Sequence, residues 1–216
     1  MNAEEPLAHR LLTPRTARYY TLGGGAPLRQ LWIVLHGYGM LPQHWIRKFA
    51  PVAAPSVQVV APEGLSRFYL EGHSGRVGAS WMTREDRASE IQDQAVYLNQ
   101  LLDVVLAQPG YTAGTRLVLF GFSQGVATAW RWFSQGRIVP HHLVLWAGSI
   151  PPEPIHHKPM PHTLVAWGDS DPFLPIDQVP DKLQALDALG LSYQPLPYRG
   201  GHTLPPDALR ALQEKL

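Results

Sequence analysis

A serine set between two glycines, directly behind an apolar run, is where this sequence first offers chemistry. Residues 117–127 read "LVLFGFSQGVA", so Gly121, Ser123 and Gly125 form a Gly-x-Ser-x-Gly turn. The β-branched and aromatic residues before it and the helix-like stretch after it place Ser123 between a strand and a helix. The turn is so sharp that a side chain at 121 or 125 would collide with the strand or helix alongside. It exposes a hydroxyl and aims a helix N-terminus at it, where free N–H groups and the dipole favour negative charge. The N–H of Gln124 then becomes one donor to an oxyanion. The plain alternative is a turn serine, because 19 glycines in 216 residues allow the motif by chance. Attack on a carbonyl needs three companions in a set order: an oxyanion loop upstream, then a carboxylate and a histidine downstream.

All three are present. "LHGYGM" (35–40) closes an apolar run; Gly37 and Gly39 allow close backbone approach, and the Tyr38 N–H is the natural second oxyanion donor. A dinucleotide reading of Gly-Tyr-Gly fails, because the third glycine would fall on Pro42. In "WGDSDPF" (167–173) Asp171 follows a strand by a short loop with Pro172 behind it. Asp169 competes for the same role and Glu153 is a remoter option. The spacing from Gly168 favours Asp171, although both aspartates also suit ordinary turns. In "YRGGHTLPP" (198–206) two glycines precede His202, the one histidine of ten that lies downstream of Asp171. The order Ser123, Asp171, His202 is that of α/β-hydrolases. In this scheme His202, with an imidazole reference pKa of about 6.5, exchanges the Ser123 proton and Asp171 orients the ring.

Positioning these residues requires an alternating scaffold. Short apolar runs bounded by Gly, Pro or Asp occur at 31–37, 56–64, 115–123, 142–149, 163–171 and 191–198, with "ARYYTL" (17–22) as an edge strand. Their apolar stretches are continuous, the mark of strands buried on both faces of a parallel sheet. Helical stretches lie between and after them. One is expected to start at "TRED", with Thr83 and Asp86 as a capping-box-like pair. It then carries Ile91, Ala95, Leu98, Leu102 and Val105 along one face and stops at Gln108-Pro109-Gly110. Others are expected over 124–136, 179–190 and 205–216. Alternating strands and helices without repeats or linkers predict one α/β domain over residues 1–216, a mainly parallel sheet with helices on both faces.

Composition narrows the partners. Lys plus Arg number 18 against 17 acidic residues, so nothing in the charge points to nucleic acid or an anionic membrane. With no cysteine, disulfides, thiolate metal sites and a thiol nucleophile are excluded. No secretory leader and no membrane-length apolar run is visible, so a cytoplasmic protein is expected, monomer or homodimer being undetermined. His156, His157 and His162 sit close together, but in the proline-rich segment 150–162 and without a carboxylate pair, so neither metal nor cofactor is expected.

"LHGYG", "GFSQG", "GDSDPFLP" and "GGH" together resemble the carboxylesterase/phospholipase family of small α/β-hydrolases, which includes acyl-protein thioesterases. The resemblance spans roughly residues 30 to 216. It implies a sheet fold with minimal or no lid, hydrolysis of carboxylic or thio esters, and Ser123, Asp171 and His202 as triad with Tyr38 and Gln124 as oxyanion donors. The chain departs from the thioesterases' Trp-Phe-Asp run: "GASWMTRED" offers Trp81 as a match but not Met82 and Thr83. Tyr38, Met40, Trp45, Trp81, Met82, Trp146, Phe173 and Leu174 all lie near strand ends. Of these, Trp81, Met82 and Phe173 are expected to line a pocket for the ester substrate, a small molecule. Acyl transfer, or a non-catalytic binding protein on the same fold, are the alternatives.

Overall fold

The computed structural model describes residues 6–152 and 159–216. Seven strands form one sheet in the order β1-β3-β2-β6-β7-β8-β9. These are β1 (Tyr19–Gly23), β2 (Gln30–Leu35), β3 (Val57–Pro62), β6 (Arg116–Phe122), β7 (His142–Trp146), β8 (His162–Gly168) and β9 (Tyr193–Tyr198). Only β1 runs antiparallel, against β3, and every other pairing is parallel. The five interior strands β3, β2, β6, β7 and β8 carry near-continuous apolar runs, and most of their residues are buried. The edges look different. β1 alternates exposed and half-buried residues, and β9 carries Pro195 and Pro197. Prolines two residues apart withhold their N–H groups on the same side, which an edge strand tolerates because that side has no partner.

Alternation along each strand splits the core in two. Trp32, Val34, Phe120, Phe122 and Trp146 face one layer with α1 (Pro42–Trp45), the 3-10 turn Ile46–Phe49 and α5 (Pro206–Gln213). Leu31, Ile33, Leu35, Leu117, Leu119, Leu143 and Leu145 face the other, with α2 (Arg87–Leu106), α3 (Gln124–Gln135) and α4 (Val179–Ala188). Helices therefore cover both faces, as expected for an α/β-hydrolase fold. The aromatic layer continues as ring-to-ring contacts, Phe120 on Trp146 at 5.7 Å and Trp146 on Tyr198 at 4.9 Å. That row leads to the loop carrying His202.

Two features differ from the sequence expectation. α2 begins at Arg87, and Asp86 takes a left-handed conformation without capping the helix through its side chain. Asp86 instead receives three guanidinium bonds from Arg10, while the Glu90 carboxylate accepts the Thr83 N–H at 2.5 Å. A carboxylate one turn inside the helix thus does the work expected of Asp86. The second is a hairpin, β4 (Ser66–Tyr69) with β5 (Val77–Ser80), inserted between β3 and α2. It reaches the rest of the fold through a bridge between Met40 and Ala79. No helix among the described residues is long and apolar enough to cross a membrane.

Candidate active site

β6 ends at Phe122 and α3 begins at Gln124, so Ser123 alone makes the turn. Its φ of 54° and ψ of −118° put a non-glycine residue where L-amino acids rarely go, at a cost of about 1–3 kcal/mol. Neighbours over-determine that conformation. Ser123 N–H donates to the Trp146 carbonyl at 2.9 Å, and Val126 N–H donates to the Ser123 carbonyl at 3.0 Å. A Cβ on Gly121 would lie 2.5 Å from the Gly125 carbonyl oxygen, and one on Gly125 would lie 2.4 Å from that of Leu35. The glycines are therefore demanded by how closely β6, α3 and β2 converge.

From the loop after β9, His202 approaches this turn. Its Nε2 stands 2.9 Å from Ser123 Oγ and its Nδ1 2.7 Å from Asp171 Oδ2. The Asp171 side chain is fully buried, and its other oxygen accepts the Phe173 N–H at 2.9 Å. The imidazole is held between Phe122 at 4.9 Å and Phe173 at 4.8 Å, ring centre to ring centre. One residue further, the Thr203 carbonyl accepts bonds from Tyr198 O–H and Trp146 Nε1–H, both at 2.9 Å. Asp169, the competitor, does not reach the ring. Its Oδ1 accepts the Gly200 N–H at 2.9 Å and so clamps the histidine loop from below. Glu153 lies outside the described residues.

Tyr38 sits at the end of β2 on the other side of the turn. Gly37 packs directly on Ser123, since a Cβ there would be 3.2 Å from the serine Cβ. Neither Tyr38 N–H nor Gln124 N–H donates to any acceptor among the described residues, so both remain available to a ligand. The Gln124 side chain is fully engaged: Nε2 donates to Ser80 Oγ at 3.0 Å and the Met82 carbonyl at 2.8 Å, and Oε1 accepts Trp81 N–H at 3.1 Å. This anchors the first residue of α3 to the end of the hairpin. A hydroxyl, an imidazole, a buried carboxylate and two free N–H groups thus stand at the carboxyl ends of β2, β6, β8 and β9.

A family model described as phospholipase/carboxylesterase matches residues 21–216. The chain belongs to that family. Among solved structures, the esterase PE8 is 25% identical, covers 94% of this chain and 100% of its own, and superposes with a TM-score of 0.67. Acyl-protein thioesterase 2 of Zea mays is 20% identical, with 93% and 97% coverage and a TM-score of 0.71. The Bacillus cereus carboxylesterase is 15% identical, with 92% coverage of each chain and a TM-score of 0.65. No match was found among curated protein sequences. Membership places the chain in a family of ester hydrolases.

Within this phospholipase/carboxylesterase frame, the proposed pocket residues take different positions. Trp81 is not a lining residue. It is 1% exposed, its ring lies 4.9 Å from that of His36, and its Nε1–H donates to the His36 carbonyl at 2.8 Å. Trp45 and Trp146 are likewise core. Met82 is half-buried with its sulfur 3.4 Å from Arg131 Nη1, whereas Phe173, 76% exposed, remains at the rim above His202. Tyr38 is also exposed and its ring leans on Phe68 of β4 at 5.0 Å, so the unforeseen hairpin supplies part of the rim. Alternation in "SRFY" and the glycines of "EGHSGR" were the available signals for it. His156 and His157 lie outside the described residues; His162 instead faces His142 across β7 and β8, Nδ1 to Nδ1 at 3.3 Å.

His36, a single polar residue in an apolar run that the motifs do not single out, ties the loop carrying Tyr38 to the fold. It is fully buried, its Nε2 accepts the Gly64 N–H at 3.0 Å, and its Nδ1 bonds the Gly37 carbonyl at 2.7 Å. Burial pushes its pKa down to about 4, only partly offset by the Gly37 carbonyl and the Glu63 charge. A base whose folded pKa is depressed binds its proton more readily unfolded, so stability is lost as pH falls below the unfolded value of about 6.5. The loss should reach about 3 kcal/mol from this residue by pH 4. His142, lowered to about 4 by desolvation and by neighbouring His162, Arg116 and His141, pushes the same way. Chemical denaturation across pH 4–8 should show a plateau above 6.5 and a steady fall below it; a flat profile between 6.5 and 5 would contradict the neutral, buried His36.

Proposed function

We propose that the protein hydrolyses carboxylic esters, and thioesters of similar size, through an acyl-enzyme on Ser123. The reading rests most on one observation, the unbroken run Asp171–His202–Ser123 with steps of 2.7 and 2.9 Å. A serine hydroxyl is a weak nucleophile until a base within hydrogen-bond reach takes its proton. As Oγ bonds to the carbonyl carbon, His202 Nε2 receives the proton, and Asp171 stabilises the imidazolium while keeping Nδ1 protonated. The carbonyl oxygen becomes an oxyanion between the N–H groups of Tyr38 and Gln124, each worth about 3 kcal/mol to the transition state. His202 then hands its proton to the leaving oxygen or sulfur, the acyl group stays on Ser123, and water repeats the sequence in reverse. No cofactor is needed at any step.

The open rim of Tyr38 and Phe173 favours short to medium acyl groups on an uncharged leaving group. A p-nitrophenyl series from acetate to octanoate, with the matching acyl thioesters, tests this. Turnover should be found within the series, and acid quenching should leave the acyl mass on the peptide holding Ser123. Turnover confined to long-chain or charged substrates, or label on another residue, would reject the reading.

A further inference from the structure

We propose that the cavity between α4 and the carboxyl ends of β7 and β8 binds a medium-chain aliphatic carboxylate, at a site distinct from the Ser123–His202 pair. The cavity measures about 220 Å³. Leu145, Ile150, Val165, Leu174, Leu183 and Leu186 make its wall mainly aliphatic, with the Trp167 ring as the aromatic part of the lining. An apolar cavity of about 150 Å³ already admits benzene, so this one takes a chain of about six to ten carbons. Apolar pockets with one or two placed polar groups are the general form of small-molecule sites.

The polar group here is Lys182, which lines the cavity and is half-buried. Its ammonium donates to Ser149 Oγ at 2.7 Å and pairs with no carboxylate among the described residues. An ammonium has three donors, so at least two are free for an anionic oxygen while Ser149 holds the group in place. An aliphatic carboxylate satisfies both features at once, with its chain on the leucines and its head on Lys182.

Two contacts set this cavity beside the catalytic residues without merging with them. Gly148 forms part of its wall, and a Cβ at that position would be 2.4 Å from the Ser123 carbonyl oxygen. Leu174 N–H donates to the Asp171 carbonyl at 3.3 Å. A free acid of the size that ester cleavage releases would therefore occupy the back of both the serine turn and the acid loop. This does not depend on Ser123 being the nucleophile.

Calorimetric titration of octanoate and of 1-octanol into the Ser123→Ala protein, where no turnover occurs, is the test. Octanoate should bind with a dissociation constant below about 1 mM and 1-octanol at least about tenfold more weakly, the worth of a charge-assisted bond. Lys182→Gln, at a half-exposed position that leaves the fold intact, should weaken octanoate by about tenfold or more. Leu183→Trp, which fills the cavity, should abolish it. Absence of octanoate binding, equal affinity for the alcohol, or affinity unchanged by either substitution would overturn the proposal. Because the readout is binding alone, such a failure leaves the hydrolytic reading untouched, and loss of the hydrolytic reading leaves this one standing.

Discussion

Ser123→Ala should lower kcat for p-nitrophenyl esters by about 10⁵-fold while leaving the fold and KM nearly unchanged. The hydroxyl bonds to His202 Nε2, so removing it costs catalysis and little stability. Alanine tolerates the φ of 54° no worse than serine, and the backbone bonds to Trp146 and from Val126 persist. What remains, about 10³-fold over water, would come from the free Tyr38 and Gln124 N–H groups and from binding. Thermal melts alongside the kinetics separate loss of chemistry from loss of structure. A variant keeping more than about one hundredth of wild-type kcat would remove Ser123 from the role of nucleophile.

The second large effect is expected at Asp171→Asn, about 10⁴-fold in kcat, and its cause can be traced atom by atom. Asp171 Oδ1 accepts the Phe173 N–H and Oδ2 faces His202 Nδ1. In the variant, the amide oxygen must keep facing the Phe173 N–H, because two donors cannot face each other. That turns the NH₂ group toward Nδ1, which must then be the unprotonated nitrogen. Nε2 carries the hydrogen instead and can no longer accept the Ser123 proton. Asp169→Asn makes the control. The Gly200 N–H needs only an acceptor, which an amide oxygen supplies, so the loss should stay below about tenfold. Comparable losses in the two variants would mean that the histidine loop, and not the tautomer of His202, governs the rate.

These predictions follow from residues that local sequence had already singled out. Gly121 is needed because the strand turns into a helix within one residue, and Gly125 because β2 passes alongside, so the pair marks the turn in the sequence although a distant strand supplies half of the reason. The strand runs were legible for a similar reason. β2, β3, β6 and β7 are buried on both faces, and their near-continuous apolar character survives in one dimension. Prolines in "LSYQPLPY" did not prevent a strand, because β9 is an edge and the missing N–H groups fall on its unpaired side.

Other features were not legible, and each failure has a physical reason. Thr83 and Asp86 have the spacing of a helix cap, but Arg10, 76 residues away along the chain, draws the Asp86 carboxylate into an ion pair. The β4–β5 hairpin is short and half-exposed, so its pattern is weak, and its place beside the Tyr38 loop depends on pairing with Met40. Trp81 adjoins the site in sequence but turns inward, because its indole N–H finds an acceptor in the His36 carbonyl.

By itself, then, the sequence determined the chain's alternating α/β architecture, the serine turn and the chain order of serine, aspartate and histidine. These rest on local backbone demands and on periodic burial, which neighbouring residues encode. Only the tertiary structure decided that Asp171 and not Asp169 meets His202, that Gln124 is anchored by Ser80 and Met82, and that a leucine-lined cavity holds an ammonium at Lys182. Each of those depends on which side chains from distant strands arrive within hydrogen-bond reach. That is set by sheet order and loop closure, which no single stretch of sequence contains.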